Sequence, residues 1–237
     1  MGAFSVNHVA AFRALSGDAN PLHVGARPVV HGALGVLAVV GESVALGTET
    51  RVIRHLAARF LRPLETTTAY QVVDRDGDRV VVQDHVDRLV TTFELTPAPV
   101  HAVPDLRPAA LRTEANYVRA RDAEGRVAAA HYGLQASRLD EACRSLGLDL
   151  SRLAPISLTA LCWASYLVGM ELPGRRALLC AFELDLAGTE HVASATELDF
   201  SARVDRVDRE TARVYLSATL SVGDRACGTA HIETLAG

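Results

Sequence analysis

Apolar and polar residues along the chain spell out one order of elements, and they spell it twice. In the first copy a short extended piece, Phe4 to Val6, leads into a helix over HVAAFRAL, with Asn7 placed to cap it. The turn-rich segment SGDANPLHVGARP follows. An apolar run from about Val30 to Leu46, ended by Gly47, predicts a second helix. Its stretch from Ala33 to Val40 has almost no polar face, so it has to be enclosed on nearly all sides. Strands are then expected at Arg51 to Leu61, Thr66 to Asp74, Arg79 to Val86 and Leu89 to Leu95, with Asp76-Gly77 as a hairpin turn. The second copy starts near Tyr132 with extended YGLQ, the helix SRLDEACRSLG and the loop LDLSRLAP. A second apolar helix, Ile156 to Met170, is closed by Pro173-Gly174. Strands follow at Arg176 to Leu186, Thr196 to Val207, Ala212 to Val222 and Ala226 to Thr234, and Gly223-Asp224 marks the last hairpin. RPVVHGAL aligns with LAPISLTA, so Ser157 stands where His31 stands.

An enclosed helix followed by consecutive strands suits an antiparallel sheet wrapped around that helix. This is the order of elements in the α+β hotdog fold, and two copies imply a double hotdog, a covalent pseudo-dimer. Residues 1–96 form the first unit, 97–128 the connection and 129–237 the second unit. Both apolar helices should lie under one continuous sheet or two abutting ones.

A chain of 237 residues that is 49% hydrophobic can bury one large core or two small ones. A net charge of −4 argues against a nucleic-acid partner, which needs a basic face. Every basic residue other than histidine is arginine. The four cysteines lie far apart with no CxxC or Cys/His ligand spacing, which reads as reduced thiols in a cytoplasmic protein with no metal. The N-terminus lacks the basic-then-apolar pattern of a signal peptide, and Ala33 to Val40 is too short to span a bilayer, so no membrane is expected.

The candidate chemistry lies between the first two helices. Ser16-Gly17-Asp18-Ala19-Asn20-Pro21-Leu22-His23 offers a carboxylate and an imidazole on one stiffened, turn-rich segment. Sharing a water, the two can deliver one proton and remove another. Gly32, at the next helix N-terminus, has an N–H suited to charge developing on a substrate oxygen. The bland alternative is a solvated loop in which Asp18 makes an Asx-turn.

FRALSGDANPLH followed by RPVVHGAL resembles the signature of MaoC-like dehydratases and (R)-specific enoyl-CoA hydratases. The pattern D-x-N-P-x-H, preceded by SG and followed by VHG, carries the resemblance, and ARFLRPL is similar to the family's first strand. The match covers about Phe4 to Leu95. The resemblance implies that Asp18 and His23 are the catalytic pair, that Asn20 braces the loop, that Gly32 supplies the oxyanion N–H and that His31 shapes that turn. It implies reversible hydration of a trans-2-enoyl thioester to the (R)-3-hydroxyacyl thioester, carried by coenzyme A or a carrier protein, without metal or redox cofactor. The family usually has a longer insert between His23 and His31, where only VGARPVV stands here. The second half has Asp149 in its corresponding loop but no histidine, so one site per chain is expected, with the second half walling an acyl tunnel past Ala160 and Ala164. As a monomeric pseudo-dimer or a homodimer, such a chain has two other possible uses. One is conjugate addition or cyclisation on a thioester-bound intermediate, which a more open mouth favours; the other is non-catalytic acyl binding. The loop is expected at a solvent-facing cleft mouth, where substitutions cost little stability.

Other features read as structural. Glu42 suits a partly exposed polar stop, and GALG lacks the full dinucleotide-binding pattern. The remaining histidines are scattered, and Trp163 and Tyr166 suit core packing. Arg51, Arg54, Arg59 and Arg62 suit a strand edge, with a phosphate of the thioester's carrier as the alternative partner.

Overall fold

The computed structural model describes residues 2–45, 48–75, 79–98, 111–134, 138–186 and 191–236. The first half contains α1 (Val6–Ser16), a 3-10 turn (Pro21–His23), α2 (Gly32–Ala45), β1 (Arg51–Phe60), β2 (Gln71–Arg75), β3 (Arg79–Gln83) and β4 (Asp87–Pro97). The second contains β5 (Val127–Gly133), α3 (Leu139–Leu146), α4 (Pro155–Tyr166), a π turn (Leu167–Glu171), β6 (Leu178–Asp185), β7 (Glu197–Asp208), β8 (Arg213–Val222) and β9 (Arg225–Leu235). Gly47, the expected Asp76-Gly77 turn and residues 99–110 of the connection lie outside the described residues. Arg75 pairs with Arg79.

The nine strands of the described residues form one antiparallel sheet in the order β2-β3-β4-β1-β6-β9-β8-β7-β5. The order is pseudo-symmetric about the central pair, β1 against β6, where His55 faces Asp185 and Arg59 faces Ala181. The extended piece before each first helix also keeps its place. β5 edges the sheet beside β7, and Ala3 bridges Ala69 just ahead of β2. This is the double hotdog architecture that the repeat predicts.

Several boundaries differ from the sequence expectation: β2 starts at Gln71 and not at Thr66, β5 starts at Val127, inside the expected connection, and the cap of α1 and the end of the second apolar helix differ as well. Ser5, not Asn7, caps α1: its hydroxyl accepts the His8 N–H while His8 Nδ1 accepts the Ser5 N–H, a reciprocal pair that Asn7 has no partner to make. The second apolar helix stops being α-helical at Tyr166 and widens into a π turn through Glu171.

On α2 every residue from Ala33 to Gly41 is buried, and α4 is buried from Ile156 to Tyr166. Both lie against the inner face of the sheet, whose strands alternate inward and outward, as β8 shows most plainly. Burial of these Leu, Val and Ile side chains, about 1.5–3 kcal/mol each, holds the two halves around one continuous core.

Candidate active site

α1 ends at Gly17, whose φ of 72° is a left-handed cap that glycine adopts without strain. The chain turns there directly into the interior. Asp18, Asn20 and His23 are all buried, Asp18 at 1% exposure, so the segment is no solvent-facing cleft mouth. Its polar groups are paired, which makes the burial tolerable. Asp18 Oδ1 accepts the Asn20 N–H at 3.0 Å, and Asp18 Oδ2 accepts the Ser165 hydroxyl at 2.7 Å. Asn20 fastens the loop to the second half: its Nδ2 donates to the Ala177 carbonyl at 2.8 Å and its Oδ1 accepts the Arg176 N–H at 3.1 Å. The π turn adds Met170 Sδ, which accepts the Ala19 N–H at 3.1 Å, and Tyr132 donates to the Ser16 carbonyl at 2.9 Å.

Asp18 and His23 face one another. Asp18 Oδ2 lies 3.9 Å from His23 Nε2, too far for a direct hydrogen bond. The gap suits two groups that each bond one shared oxygen at about 2.8 Å. His23 Nδ1 is 2.7 Å from the Val29 carbonyl, which can only accept, so Nδ1 carries the proton and Nε2 presents a lone pair when the ring is neutral. Burial raises the Asp18 pKa above the ordinary carboxylate range, against the pull of His23 and the Ser165 hydroxyl. The pair therefore combines a carboxyl that favours keeping its proton with an imidazole nitrogen able to take one.

Gly32 opens α2 beside them. A Cβ there would lie 2.7 Å from the Phe60 ring, so only glycine lets the ring lie against the backbone. First-turn N–H groups of a helix have no intrahelical acceptor, which leaves this one suited to a ligand oxygen. A cavity of about 230 Å³ is lined by Asp18, Asn20, His23, Gly32, Phe60 and Ser165 among others.

His31 does not line this cavity. It lies behind His23, ring stacked on ring at 3.5 Å and 24°, with Phe12 on its other side at 4.9 Å. Its carbonyl accepts the Leu34 and Gly35 N–H groups and so caps α2. Both ring nitrogens are buried without a hydrogen-bond partner, and Nε2 is 3.7 Å from Asp18 Oδ2. Burial, then the neighbouring His23, lowers its pKa well below 6.5. Because the folded pKa is depressed, this group contributes stability that is complete above about pH 6.5 and is lost as pH falls toward the folded value. In urea unfolding, wild type should therefore lose up to about 1.4 kcal/mol per pH unit below 6.5 relative to His31→Gln. Parallel pH profiles for the two proteins would contradict that.

Asp18, His23 and His31 place one donor atom each within 4.8 Å of one another, the residue types of a two-histidine, one-carboxylate metal site. The stacking argues against that use. Rings stacked at 3.5 Å and 24° have planes that meet only well beyond metal–nitrogen bonding distance, so one ion cannot lie in the plane of both, as two imidazole ligands require. Cys180 lies at the rim of the cavity, but burial raises its thiol pKa, which disfavours the thiolate a nucleophile needs.

The expected tunnel past Ala160 and Ala164 is corrected. Both are fully buried and neither lines the cavity. The face of the second apolar helix that meets the site carries Ser165, Val168 and Gly169, spaced by three and four residues. Of the four strand arginines only Arg62 reaches the cavity, at its exposed rim, where Arg213 joins it. Ser165 and Gly169 are the contributors that sequence reasoning missed; a hydroxyl four residues before a glycine near the end of the helix is the signal they left.

In the second half the equivalent position is filled. Gly147 ends α3 with φ 64°, as Gly17 ends α1, but the next residue is Leu148 where Asp18 follows Gly17. Leu148 and Leu150 pack on Gly41 of α2 as Asp18 packs on Gly169 of the π turn. Ser157, at the place of His31, accepts the Ile53 N–H at 2.9 Å. Leucine side chains thus occupy the place where the first half holds its carboxyl group.

No protein-family model matches the sequence, and no curated protein matches it. Among solved structures, a MaoC-like dehydratase is similar over 100% of this chain and 96% of its own, with TM-score 0.65 and 12% identity. A protein of unknown function with a hot dog fold from Alicyclobacillus acidocaldarius is similar over 95% of this chain and 97% of its own, with TM-score 0.51 and 10% identity. At these identities the likeness establishes the hotdog fold. Among the described residues no helix is long and apolar enough to cross a membrane.

Proposed function

We propose that this protein is a hydro-lyase that reversibly adds water across the double bond of a trans-2-enoyl thioester. The observation that carries the reading is the facing of Asp18 and His23 across 3.9 Å, in one cavity headed by Gly32. The thioester oxygen sits at the Gly32 N–H. His23 Nε2 takes a proton from a water whose oxygen bonds to Cβ. The double-bond electrons move to Cα and the thioester oxygen, and Asp18 gives its proton to Cα. The proton on His23 then returns to Asp18, which balances the addition of one water. A raised Asp18 pKa favours the protonated acid this direction requires, and the Val29 carbonyl fixes the tautomer that makes His23 a base.

Asn20 positions Asp18 by holding the loop on Ala177 and Arg176, and Ser165 orients the carboxyl group. The sequence resemblance to enoyl-thioester hydratases falls on these same residues, Asp18, Asn20, His23 and Gly32, and the likeness to the MaoC-like dehydratase structure is consistent with the same chemistry. Coenzyme A and a carrier-protein arm present the same thioester, and the resemblance assigns the (R) product. Purified protein mixed with crotonyl-CoA should remove the ultraviolet absorbance of the conjugated enoyl thioester in proportion to enzyme concentration. Unchanged absorbance with crotonyl-, hexenoyl- and octenoyl-thioesters alike would reject the reading.

A further inference from the structure

The cavity becomes more closed toward its catalytic end. Its outer lining, Leu61, Arg62, Pro63 and Leu235, is exposed. Its inner lining, Asp18, Leu64, Ser165, Val168 and Gly169, is buried. At that end Gly169 is pressed against the carboxyl group so closely that a Cβ would fall inside van der Waals contact of Asp18 Oδ1. Leu64 leans onto α2 and occupies the place a Cβ on Gly35 would need. The lining that the second apolar helix and its π turn contribute, Ser165, Val168 and Gly169, is buried throughout and packed on the Asp18 carboxyl group through Ser165 and Gly169, which makes it the closed wall of the chamber. Its size agrees. A cavity of about 150 Å³ holds benzene, so about 230 Å³ holds on the order of nine heavy atoms. A four-carbon enoyl group with its carbonyl oxygen, sulfur and the adjoining two methylenes has about eight, and fills such a space.

We infer that the substrate is a short-chain enoyl thioester of about four carbons, and that Val168, beside Gly169 in the blind wall, sets the limit. The inference rests on the hydro-lyase reading and adds the substrate class. The short segment between His23 and His31 does not open the site to bulky substrates, because the limit comes from the buried end and not from the mouth. An acyl chain of eight carbons would have to displace Val168 or Leu64, both packed in the core.

The test compares kcat/KM for trans-2-enoyl-CoA substrates of four, six, eight and ten carbons, in wild type and in Val168→Ala. Wild type should prefer four carbons over eight by about 100-fold or more, and Val168→Ala should narrow that ratio by about tenfold. Such discrimination is within reach of a hydrophobic pocket over several methylenes. A flat or rising profile in wild type overturns the size limit while leaving the hydro-lyase reading intact. A steep profile that Val168→Ala leaves unaltered overturns the assignment to Val168. If no chain length is hydrated the hydro-lyase reading fails, and calorimetric titration with butyryl-CoA and octanoyl-CoA judges the cavity alone. Tighter binding of butyryl-CoA supports the limit, and equal or tighter binding of octanoyl-CoA overturns it.

Discussion

Asp18→Asn should lower the rate of crotonyl-CoA hydration by about 10²–10⁴-fold, the range for removal of a general acid or base. Asn keeps the shape of the carboxyl group but gives up no proton to Cα. The substitution also suits the site's hydrogen bonds. An Asn oxygen can keep the Asn20 N–H, and its Nδ2 can face Ser165, whose hydroxyl turns to accept. The loss of rate should therefore come without loss of fold. His23→Asn should fall in the same range, because it retains an N–H for the Val29 carbonyl but has no Nε2. The double variant should be little slower than the slower single one, since a base and an acid that serve one addition step fail together. Stability gives a second signature with a definite sign. The folded pKa of Asp18 is raised, so its contribution is complete below about pH 3.9 and is lost as pH rises through the folded value. Wild type should accordingly lose ground to Asp18→Asn as pH increases over that window, as read from melting temperatures. Single variants that keep near wild-type rates would make the pair a relic, and the chemistry would have to be sought elsewhere in the cavity.

Gly169→Ala is the second substitution expected to have a large effect, although position 169 carries no chemistry. The new methyl would meet the Asp18 carboxyl group at an impossible distance, and its nearest atoms cannot swing away because Ser165 and the Asn20 N–H hold them. Either the loop or the π turn has to move. Overpacking of this kind costs about 1–3 kcal/mol, and a displacement near 1 Å in a reacting group costs about 10²-fold in rate. Gly41→Ala is the matched control in the other half. A Cβ there meets Leu150 at 3.4 Å and Leu148 at 3.5 Å, ordinary contact, so that variant should fold and turn over like wild type. Alanine within a helix even gains about 0.5–1 kcal/mol over glycine. Circular-dichroism melts and initial rates on the two variants check the contrast. Equal behaviour would mean that the backbone at Gly169 does not confine the acid.

Features carried by local pattern were legible in the sequence. The duplicated order of elements gave the architecture, and the short run from Ser16 to His23 drew attention to the residues that the fold then gathers. What was not legible depends on partners far along the chain. Ser165 meets Asp18 across 147 positions, and nothing local to either one announces the contact. The tunnel was placed on the wrong face for a related reason. α4 is buried all round, so its apolar pattern has no preferred side from which to tell Ala160 and Ala164 from Ser165 and Gly169. The loop's polarity misled in the same way: Ser, Asp and Asn suggested solvent, whereas each is buried because the second half supplies a partner or a close wall. Leu148 explains in packing terms why only one half keeps a carboxyl group, a distinction that alignment of the two copies hinted at only through the missing histidine.

The most direct test follows oxygen. Crotonyl-CoA incubated with the protein in ¹⁸O-labelled water and analysed by mass spectrometry should yield 3-hydroxybutyryl-CoA with the label on C3, the thioester intact and no free thiol released. Label appearing instead in free crotonate, with coenzyme A released, would show attack at the thioester carbonyl and contradict the assignment of Asp18 and His23 to water addition at Cβ.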